Sequence, residues 1–331
     1  MMHDPFLSGT TDRRRFLALG AGIFVVSMVP VALARRATLA RRTVPLMGTI
    51  AEVQVAHRDV RVAEDAIDAA LYELDLVERT MSRFRADSDI GRANLGAADD
   101  AVAVTPATAL VVRTALEWAE RSDGRFDPAL GSVSGLWDVL NRHEPPPADR
   151  ITPLAHRGFW RKVDVGTLGG SPVLRYEDRD VQLDLGAIAK GYGIDRATGA
   201  LRARGIEHAI VTVGGDLYAL GGSPEGGDWE VGIRDPYDLS ELAGTMRVRD
   251  RAVATSGDYE RFFKWRGMRY HHLMDPATAA PRITPVHSVT VTAHRAIDAD
   301  AASTSVFGLG RDAALAAVRR AIPDADAIPL T

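Results

Sequence analysis

The stretch 183–195, LDLGAIAKGYGID, places an acid, glycines and a lysine where an alternating apolar run ends. The alternation over 181–185 predicts a strand, and Gly186 predicts a turn into a helix whose first N–H groups could bind an anion. Lys190 adds a charge suited to a phosphate, and Asp184 could orient a polar ligand. The order of a phosphate-binding P-loop fails because Lys190 precedes the glycine. A solvated strand end before an ordinary surface helix remains the alternative.

A second concentration of polar residues covers 254–281, ATSGDYERFFKWRGMRYHHLMDPATAAP. This stretch predicts one hairpin with Arg266-Gly267 at its tip. Surface hairpins seldom carry so many short polar residues beside a histidine. His272 could act as a general base or hold a phosphate. The pair His271-His272 does not predict a zinc site, because adjacent residues of a strand point to opposite faces.

The segment 296–308, AIDADAASTSVFG, contains a candidate metal site. Asp300 and Thr304 are four residues apart and would share one face of a helix. Carboxylate and hydroxyl oxygens are hard ligands suited to Mg²⁺, which keeps several waters and bridges phosphates. Asp298 or Asp300 could instead be an N-capping acid, so both interpretations stay open.

Two glycine-rich motifs are weaker indications. Asp127 lies in DGRFDPALG, where an Asp-Pro pair is typical of a turn. The glycines of GGD at 214–216 would let a ligand or another backbone approach a strand end, and a tight hairpin explains them equally well.

The elements that must position these residues are separated helices and meander-like strands. Amphipathic spacing predicts helices, and β-branched alternation predicts strands. The predicted helices cover 61–79, 107–121, 298–306 and 311–320, a loop covers 82–94, and strands cover 50–55, 181–185, 208–214, 229–233, 245–248 and 287–292. Because strands and helices do not alternate regularly, the pattern predicts an α+β fold.

Composition excludes several classes of function. The 331 residues are 46% hydrophobic, which is ample for a core in one large domain or two smaller ones. A net charge of −4 and an aromatic content of 6% argue against a nucleic-acid surface. Cysteine is absent, which excludes disulfides, thiolate metal sites and thiol catalysis.

The N-terminus has the pattern of an export signal. A basic cluster at 13–15 precedes an apolar run, Phe16–Ala34, that ends in small residues. The order DRRRFL at 12–17 matches a twin-arginine signal, so we expect residues 1–34 to direct export of the folded protein to the periplasm, with cleavage near Ala34. An uncleaved membrane anchor is the alternative, since the run could nearly span a bilayer.

Eight motifs, in this order, resemble those of the ApbE-type FAD:protein FMN transferases. They are MGT (47–49), MSRFRADSDIGRAN (81–94), GRFDPALGSVSGLW (124–137), LDLGAIAKGYGID (183–195), VGGDLYALG (213–221), ATSGDYERFF (254–263), HHLMDPATAAP (271–281) and DADAASTSVFGLG (298–310). The resemblance implies a single T-fold-like α+β domain over 41–331, with a mixed or antiparallel sheet and flanking helices. It also implies Mg²⁺-dependent transfer of FMN from FAD to a threonine hydroxyl of an exported acceptor flavoprotein, with release of AMP.

The resemblance also implies site residues, position by position. The implied flavin-nucleotide contacts are Met47, Phe84, Arg125, Phe126, Asp127, Asp184, Lys190 and Met274. The implied Mg²⁺ ligands are the carbonyl of Ala187 and the side chains of Asp300 and Thr304. His272 is the implied catalytic residue and our candidate base for the threonine hydroxyl, with Asp258 as the alternative.

The chain departs from the family pattern at two places. Ala279 and Ala280 follow Thr278, where the family often has Thr-Gly; a requirement for positive φ there would cost alanine about 1 kcal/mol. Ser303 stands where some members have a second acidic ligand, which would weaken metal binding. Two alternatives stay open. The same residues could serve a Mg²⁺-dependent pyrophosphatase in which water replaces the threonine and FMN and AMP are released. The chain could also be a non-catalytic flavin-binding protein, in which these departures would mark lost catalysis.

Overall fold

The computed structural model describes residues 24–27 and 38–331. The predicted export signal therefore lies outside the described residues, apart from 24–27, which form a short strand paired antiparallel with 230–233. No helix among the described residues is long and apolar enough to cross a membrane.

Helices and strands alternate irregularly along the chain. The helices are α1 (Val60–Met81), α2 (Asp89–Gly96), α3 (Pro106–Arg121), α4 (Gly131–Trp137), α5 (Ala148–Ile151), α6 (Ala189–Ala203), α7 (Ala296–Val306) and α8 (Arg311–Ala321). The strands are β1 (Phe24–Ser27), β2 (Thr38–Leu46), β3 (Thr49–His57), β4 (Val102–Ala103), β5 (Val163–Leu168), β6 (Ser171–Tyr176), β7 (Ala209–Val213), β8 (Asp216–Leu220), β9 (Trp229–Arg234), β10 (Leu242–Val248), β11 (Arg251–Gly257), β12 (Phe262–Trp265), β13 (Met268–His271), β14 (Met274–Asp275), β15 (Ala280–Pro281), β16 (Ser288–Ala293) and β17 (Asp326–Leu330).

A seven-stranded sheet has the order β17-β16-β11-β8-β7-β3-β2. Its described pairings from β2 to β11 are antiparallel. The β2–β3 hairpin turns on Met47-Gly48, whose φ values of 55° and 66° fit a two-residue turn with both central residues left-handed. The α+β prediction, with an antiparallel sheet and flanking helices, is confirmed.

The chain divides into two compact units, each with its own core. Of the described residues, the first unit comprises 24–27, 38–76, Lys190–Thr255 and Thr290–Asp300, and the second comprises Val77–Ala189, Ser256–Val289 and Ala301–Thr331. In the first unit, α1 buries Ala63, Ala66, Ile67, Ala70 and Leu74, the helical spacing that predicted it. In the second, the largest fully buried side chains include Trp137, Phe159, Leu174, Leu183 and Phe307.

The predicted loop at 82–94 contains a helix instead. Ser88 is the N-cap of α2, and its hydroxyl accepts from the Gly91 N–H at 2.8 Å. Asp89 is buried in the first turn and accepts from the Thr105 N–H and the Thr108 hydroxyl. These hydrogen bonds outweigh the burial that alone would raise the pKa of Asp89, and they lower it. A polar helix of eight residues escaped detection because tertiary hydrogen bonds stabilise it.

The prediction of a strand at 181–185 is also wrong, because this segment does not pair along its length with a neighbouring strand. Gln182 alone forms a bridge, a parallel one with Leu130. The side chain of Asn94 takes the backbone groups that a neighbouring strand would have bound: it accepts from Leu183 N at 2.7 Å and donates to Leu183 O at 2.9 Å. The alternation reports burial of Leu183 and Leu185 against the core rather than sheet pairing. A further strand, β17, follows the two C-terminal helices and was not predicted.

Ala279 adopts the left-handed conformation suspected from the missing glycine, with φ of 51°. Its N–H donates to Asp275 O at 2.8 Å, and its carbonyl accepts from Trp137 Nε1 at 2.7 Å, which fixes the turn between β14 and β15. The strain of about 1–2 kcal/mol exceeds the roughly 0.5–1 kcal/mol that glycine loses in chain entropy.

We expect Ala279→Gly to change the free energy of unfolding by less than about 0.5 kcal/mol, measured by urea denaturation, because the relief of strain offsets both the chain entropy and the loss of a fully buried methyl group. Ala277→Gly is the matched control, because Ala277 is exposed and lacks positive φ. The control should lower stability by about 0.4–1 kcal/mol. Equal losses in both variants would show that no strain is stored at Ala279.

Candidate active site

A buried cluster of charge forms at the start of α6 in the first unit. Lys190 Nζ lies 2.8 Å from Asp300 Oδ1 and 3.1 Å from Asp216 Oδ2. Both carboxylates are buried, and Asp216 Oδ1 also accepts from the Thr255 N–H at 3.1 Å. Asp216 belongs to the GGD motif, in which the sequence analysis weighed the glycines and overlooked the acid. The cluster therefore brings two acidic side chains to one ammonium group.

The protonation of this cluster follows from its burial. Desolvation raises the pKa of Asp216 to about 7, although the Lys190 ammonium opposes that rise. Burial alone would lower the pKa of Lys190, but the two neighbouring carboxylates outweigh it and raise the pKa. Lys190 is therefore a cation at neutral pH, as its predicted role beside phosphate requires.

Asp300 does not cap its own helix. Its Oδ2 accepts from the N–H of Gly191, in the first turn of α6, at 3.0 Å. In the opposite direction, Asp195 of α6 accepts from the N–H groups of Ala296 and Ile297, the first residues of α7, at 2.7 and 3.0 Å. Asp195 lies in the motif LDLGAIAKGYGID, and no role was predicted for it from the sequence.

The residues implied as Mg²⁺ ligands offer only hard oxygens. Asp300 supplies a buried carboxylate, Thr304 a hydroxyl one helical turn later, and Ala187 a backbone carbonyl. In the second unit, Thr304 Oγ1 lies 3.2 Å from Ser256 Oγ, which is 2.9 Å from Ser303 Oγ. The described residues contain no group of three or more His, Cys, Asp or Glu positioned for a metal ion. Carboxylate, hydroxyl and carbonyl oxygens are the kinds of ligand that Mg²⁺ prefers, and the assignment of these residues to Mg²⁺ stays a prediction.

Asp184 and Phe84, both implied as flavin contacts, are joined by an arginine that the sequence analysis missed. Arg83 Nε lies 3.1 Å from Asp184 Oδ2, and its guanidinium carbon lies 4.6 Å from the centre of the Phe84 ring. Asp184 Oδ1 accepts from the Gly186 N–H at 3.0 Å. The Phe84 side chain is 83% exposed, so it presents a flat apolar face to a ligand. Arg83 could have been noticed in the sequence because it directly precedes Phe84 in the motif SRF.

Arg125 is held by structural contacts in the second unit. Its guanidinium donates to Ser305 O at 3.2 Å and to Phe307 O at 3.0 Å, at the end of α7. Arg282, which the sequence analysis missed, donates to Phe307 O at 2.6 Å and to Arg125 O at 3.0 Å. Burial lowers the pKa of both guanidinium groups, that of Arg282 to about 10. Cationic side chains that donate to the last carbonyl groups of a helix stabilise its C-terminal end.

Two further implied flavin contacts lie in the core of the second unit. Phe126 is 2% exposed and Met274 is 9% exposed. Met47, in the first unit, is half-buried in the β2–β3 turn, and a Cβ added to Gly193 of α6 would lie 3.5 Å from its sulfur. Met47 therefore packs one helical turn beyond Lys190. The flavin contacts of these residues stay predictions.

Asp127 is a half-buried acid held by backbone amides. It accepts from the N–H groups of Ala129 at 2.9 Å and Trp160 at 3.3 Å. Desolvation outweighs these bonds and raises the pKa of Asp127 to about 6. The unfolded chain releases this proton near pH 4, whereas the folded protein keeps it up to about pH 6. The free energy of unfolding therefore falls as the pH rises from about 4 to about 6. The total decrease is about 3 kcal/mol and is complete above that range.

We expect Asp127→Asn to remove this dependence. Its unfolding free energy relative to the wild type should increase by about 2–3 kcal/mol between pH 4 and pH 7, measured by urea denaturation. Asp149→Asn is the matched control at an exposed acid and should show a constant difference. A constant difference for Asp127→Asn as well would refute the assigned shift.

The adjacent histidines of the hairpin have different environments. His271 is buried; its Nδ1 accepts from the Leu273 N–H at 3.2 Å, so Nε2 carries the proton and donates to Arg282 O at 2.9 Å. Burial lowers the pKa of His271 and keeps it neutral. His272 is half-buried, and its backbone N–H donates to Arg261 O at 3.1 Å. With both ring nitrogens of His271 engaged, a shared zinc site at this pair is disfavoured.

Asp258 is engaged by two basic side chains. Its Oδ1 lies 2.6 Å from Arg269 Nη1, and its Oδ2 lies 2.8 Å from His287 Nδ1. The Asp258 N–H also donates to His287 O at 3.0 Å. A carboxylate bound on both oxygens is poorly placed to accept a proton from a substrate. The geometry therefore favours His272 over Asp258 as the candidate base.

The fold and this cluster define an antiparallel α+β protein with a lysine held between two buried carboxylates at a helix start. The model of the ApbE family matches residues 47–328, and the chain belongs to that family. It is 36% identical over 297 residues to a Treponema pallidum (strain Nichols) protein named FAD:protein FMN transferase, covering 86% of this chain and 82% of the relative. A protein of the same name from Klebsiella pneumoniae (strain 342) is 31% identical, covering 81% and 83%. The crystal structure of the ApbE protein from Thermotoga maritima has a TM-score of 0.80 at 27% identity, covering 88% of this chain and 94% of that one.

Proposed function

We propose that the chain is an FAD:protein FMN transferase that moves FMN from FAD to a threonine hydroxyl of an acceptor flavoprotein, with Mg²⁺ bound, and releases AMP. Membership of the ApbE family supports the transferase activity. The Lys190–Asp216–Asp300 cluster is the observation that carries the Mg²⁺ and phosphate part of the proposal.

The reaction forms a bond between the threonine oxygen and the phosphorus of the FMN half, and breaks the bond from that phosphorus to the oxygen bridging to AMP. His272 accepts the hydroxyl proton, because a threonine hydroxyl is a weak nucleophile until it is deprotonated. Lys190 offsets the charge that develops on the phosphates. Bound Mg²⁺ would supply further charge neutralisation of the pyrophosphate, with Asp300, Thr304 and the carbonyl of Ala187 as its protein ligands.

Mass spectrometry tests the proposal directly. The purified protein is mixed with FAD, Mg²⁺ and a candidate acceptor domain. The acceptor should gain the mass of FMN less one water, and AMP should be released in equal amount. An acceptor in which the target threonine is changed to alanine is the control and should gain nothing. Rapid release of FMN and AMP without acceptor would instead identify a pyrophosphatase, and bound FAD that stays intact with Mg²⁺ would identify a binding protein.

The proposal extends to the compartment. The twin-arginine pattern at 12–17 and the small residues before Ala34 support export of the folded enzyme to the periplasm, where an exported respiratory or electron-transfer flavoprotein would be the acceptor. Changing Arg13 and Arg14 to lysine should retain the protein in the cytoplasm, as measured by cell fractionation. Unchanged fractionation would contradict this route.

A further inference from the structure

The starts of α6 and α7 are tied together by two carboxylates that act in opposite directions. Asp300 of α7 accepts from the N–H of Gly191 in α6 at 3.0 Å. Asp195 of α6 accepts from the first two N–H groups of α7, with one oxygen on each, at 2.7 and 3.0 Å. Each carboxylate therefore satisfies backbone donors at the positive end of the other helix.

The two helices approach each other at backbone distance. A Cβ added to Gly191 would lie 2.2 Å from the carbonyl oxygen of Ala296 and 2.7 Å from the Cα of Ile297. No side chain fits at this position without movement of the backbone. The hydrogen bonds that Asp195 accepts from Ala296 and Ile297 lie at this close contact, and they determine how the first turn of α7 packs on α6.

This contact sets the position of the charged cluster. Asp300 lies one helical turn beyond the Ala296 amide that Asp195 binds, and its other oxygen meets Lys190 Nζ at 2.8 Å. A shift of the first turn of α7 would change this distance directly. Both carboxylate oxygens of Asp195 accept from backbone amides of α7. Asp195 therefore affects the Lys190–Asp216–Asp300 cluster through the position of α7.

We propose that Asp195 is a positioning residue for the reaction: by binding the first amides of α7, it places the Asp300 carboxylate for Lys190 and for Mg²⁺. This inference rests on the proposed function for the role of Mg²⁺. Carboxylates that orient metal ligands through hydrogen bonds typically change metal affinity by 10- to 100-fold when they are removed.

Asp195→Asn and Asp195→Ala test the inference in the full chain at pH 8, above the raised pKa of about 6 of this half-buried acid. Asparagine keeps one acceptor oxygen, and alanine keeps none. The first measurement is the Mg²⁺ concentration that gives half-maximal FMN transfer. The second, which needs no turnover, is the rise in melting temperature that Mg²⁺ gives the FAD-bound protein. Asp89→Asn is the matched control, because Asp89 is a buried acid that also accepts from the start of a helix, in the second unit.

We expect the half-saturating Mg²⁺ concentration to rise about tenfold in Asp195→Asn and further in Asp195→Ala, while saturating Mg²⁺ restores most of the turnover of the asparagine variant. Asp89→Asn should lose stability and keep the wild-type Mg²⁺ response within about twofold. Unchanged Mg²⁺ responses in both Asp195 variants would overturn the inference and leave a purely structural role. If the wild type fails to transfer FMN, the proposed function falls, and the Mg²⁺-dependent melting shift alone then decides the role of Asp195.

Discussion

Replacing Asp300 with alanine should lower FMN transfer by more than about 100-fold and abolish its response to Mg²⁺. The change removes an implied metal ligand and also leaves the Lys190 ammonium with Asp216 as its remaining carboxylate partner. Preorganised charge of this kind is typically worth about 10²–10³ in turnover when one group is removed. FAD binding should weaken less, by under tenfold, because the residues that the family resemblance implies as flavin contacts are unchanged in this variant. AMP release during Mg²⁺ titration and FAD fluorescence measure the two effects separately.

Asp298→Ala is the matched control for this prediction. Asp298 stands in the first turn of the same helix and forms an ion pair with the exposed side chain of Arg295 at 2.7 Å. The same chemical change is made two residues away, where it cannot reach Lys190 along the helix face. This variant should keep its activity within about fivefold. Full activity in Asp300→Ala would show that the metal assignment is wrong.

The chemistry of the site could be read from the sequence better than its geometry. Lys190, Asp300 and His272 stood out because a charged residue beside glycines or short polar residues is unusual. Their partners did not stand out, since pairing is decided by the fold. Lys190 meets Asp300 across 110 positions of the chain. Asp216 and Asp195 had no role in the sequence analysis, because only the packing of strands and helices brings them to their partners.

The strands also show that the sequence predicts local conformation better than long-range pairing. Alternation at 181–185 correctly indicated which side chains are buried, but it could not reveal that the Asn94 side chain replaces a neighbouring strand. The hairpin tip at Arg266-Gly267 was predicted correctly, because positive φ at both residues is a local property of the turn. Local conformation was therefore accessible from the sequence, and long-range partners were not.

The adjacent histidines allow the same substitution to separate catalysis from stability. His272→Ala should lower the turnover of FMN transfer by about 10²–10³-fold, the range expected when a general base is lost, and leave the KM for FAD within about threefold. The half-buried ring of His272 makes a small contribution to the core, so the melting temperature should fall little. Steady-state AMP release and thermal unfolding are the two measurements.

His271→Ala should give the opposite result. The buried imidazole accepts from the Leu273 N–H and donates to the Arg282 carbonyl, and its edge packs on the Phe307 ring at 5.7 Å between centroids. Alanine would leave two buried backbone groups without these bonds and create a cavity, which should cost about 2–4 kcal/mol of unfolding free energy. Turnover per folded molecule should stay within about fivefold of the wild type. If the two variants exchanged these effects, His271 would be the base and the assignment of His272 would be wrong, because only the ring that loses a proton-transfer role lowers turnover in a protein that remains folded.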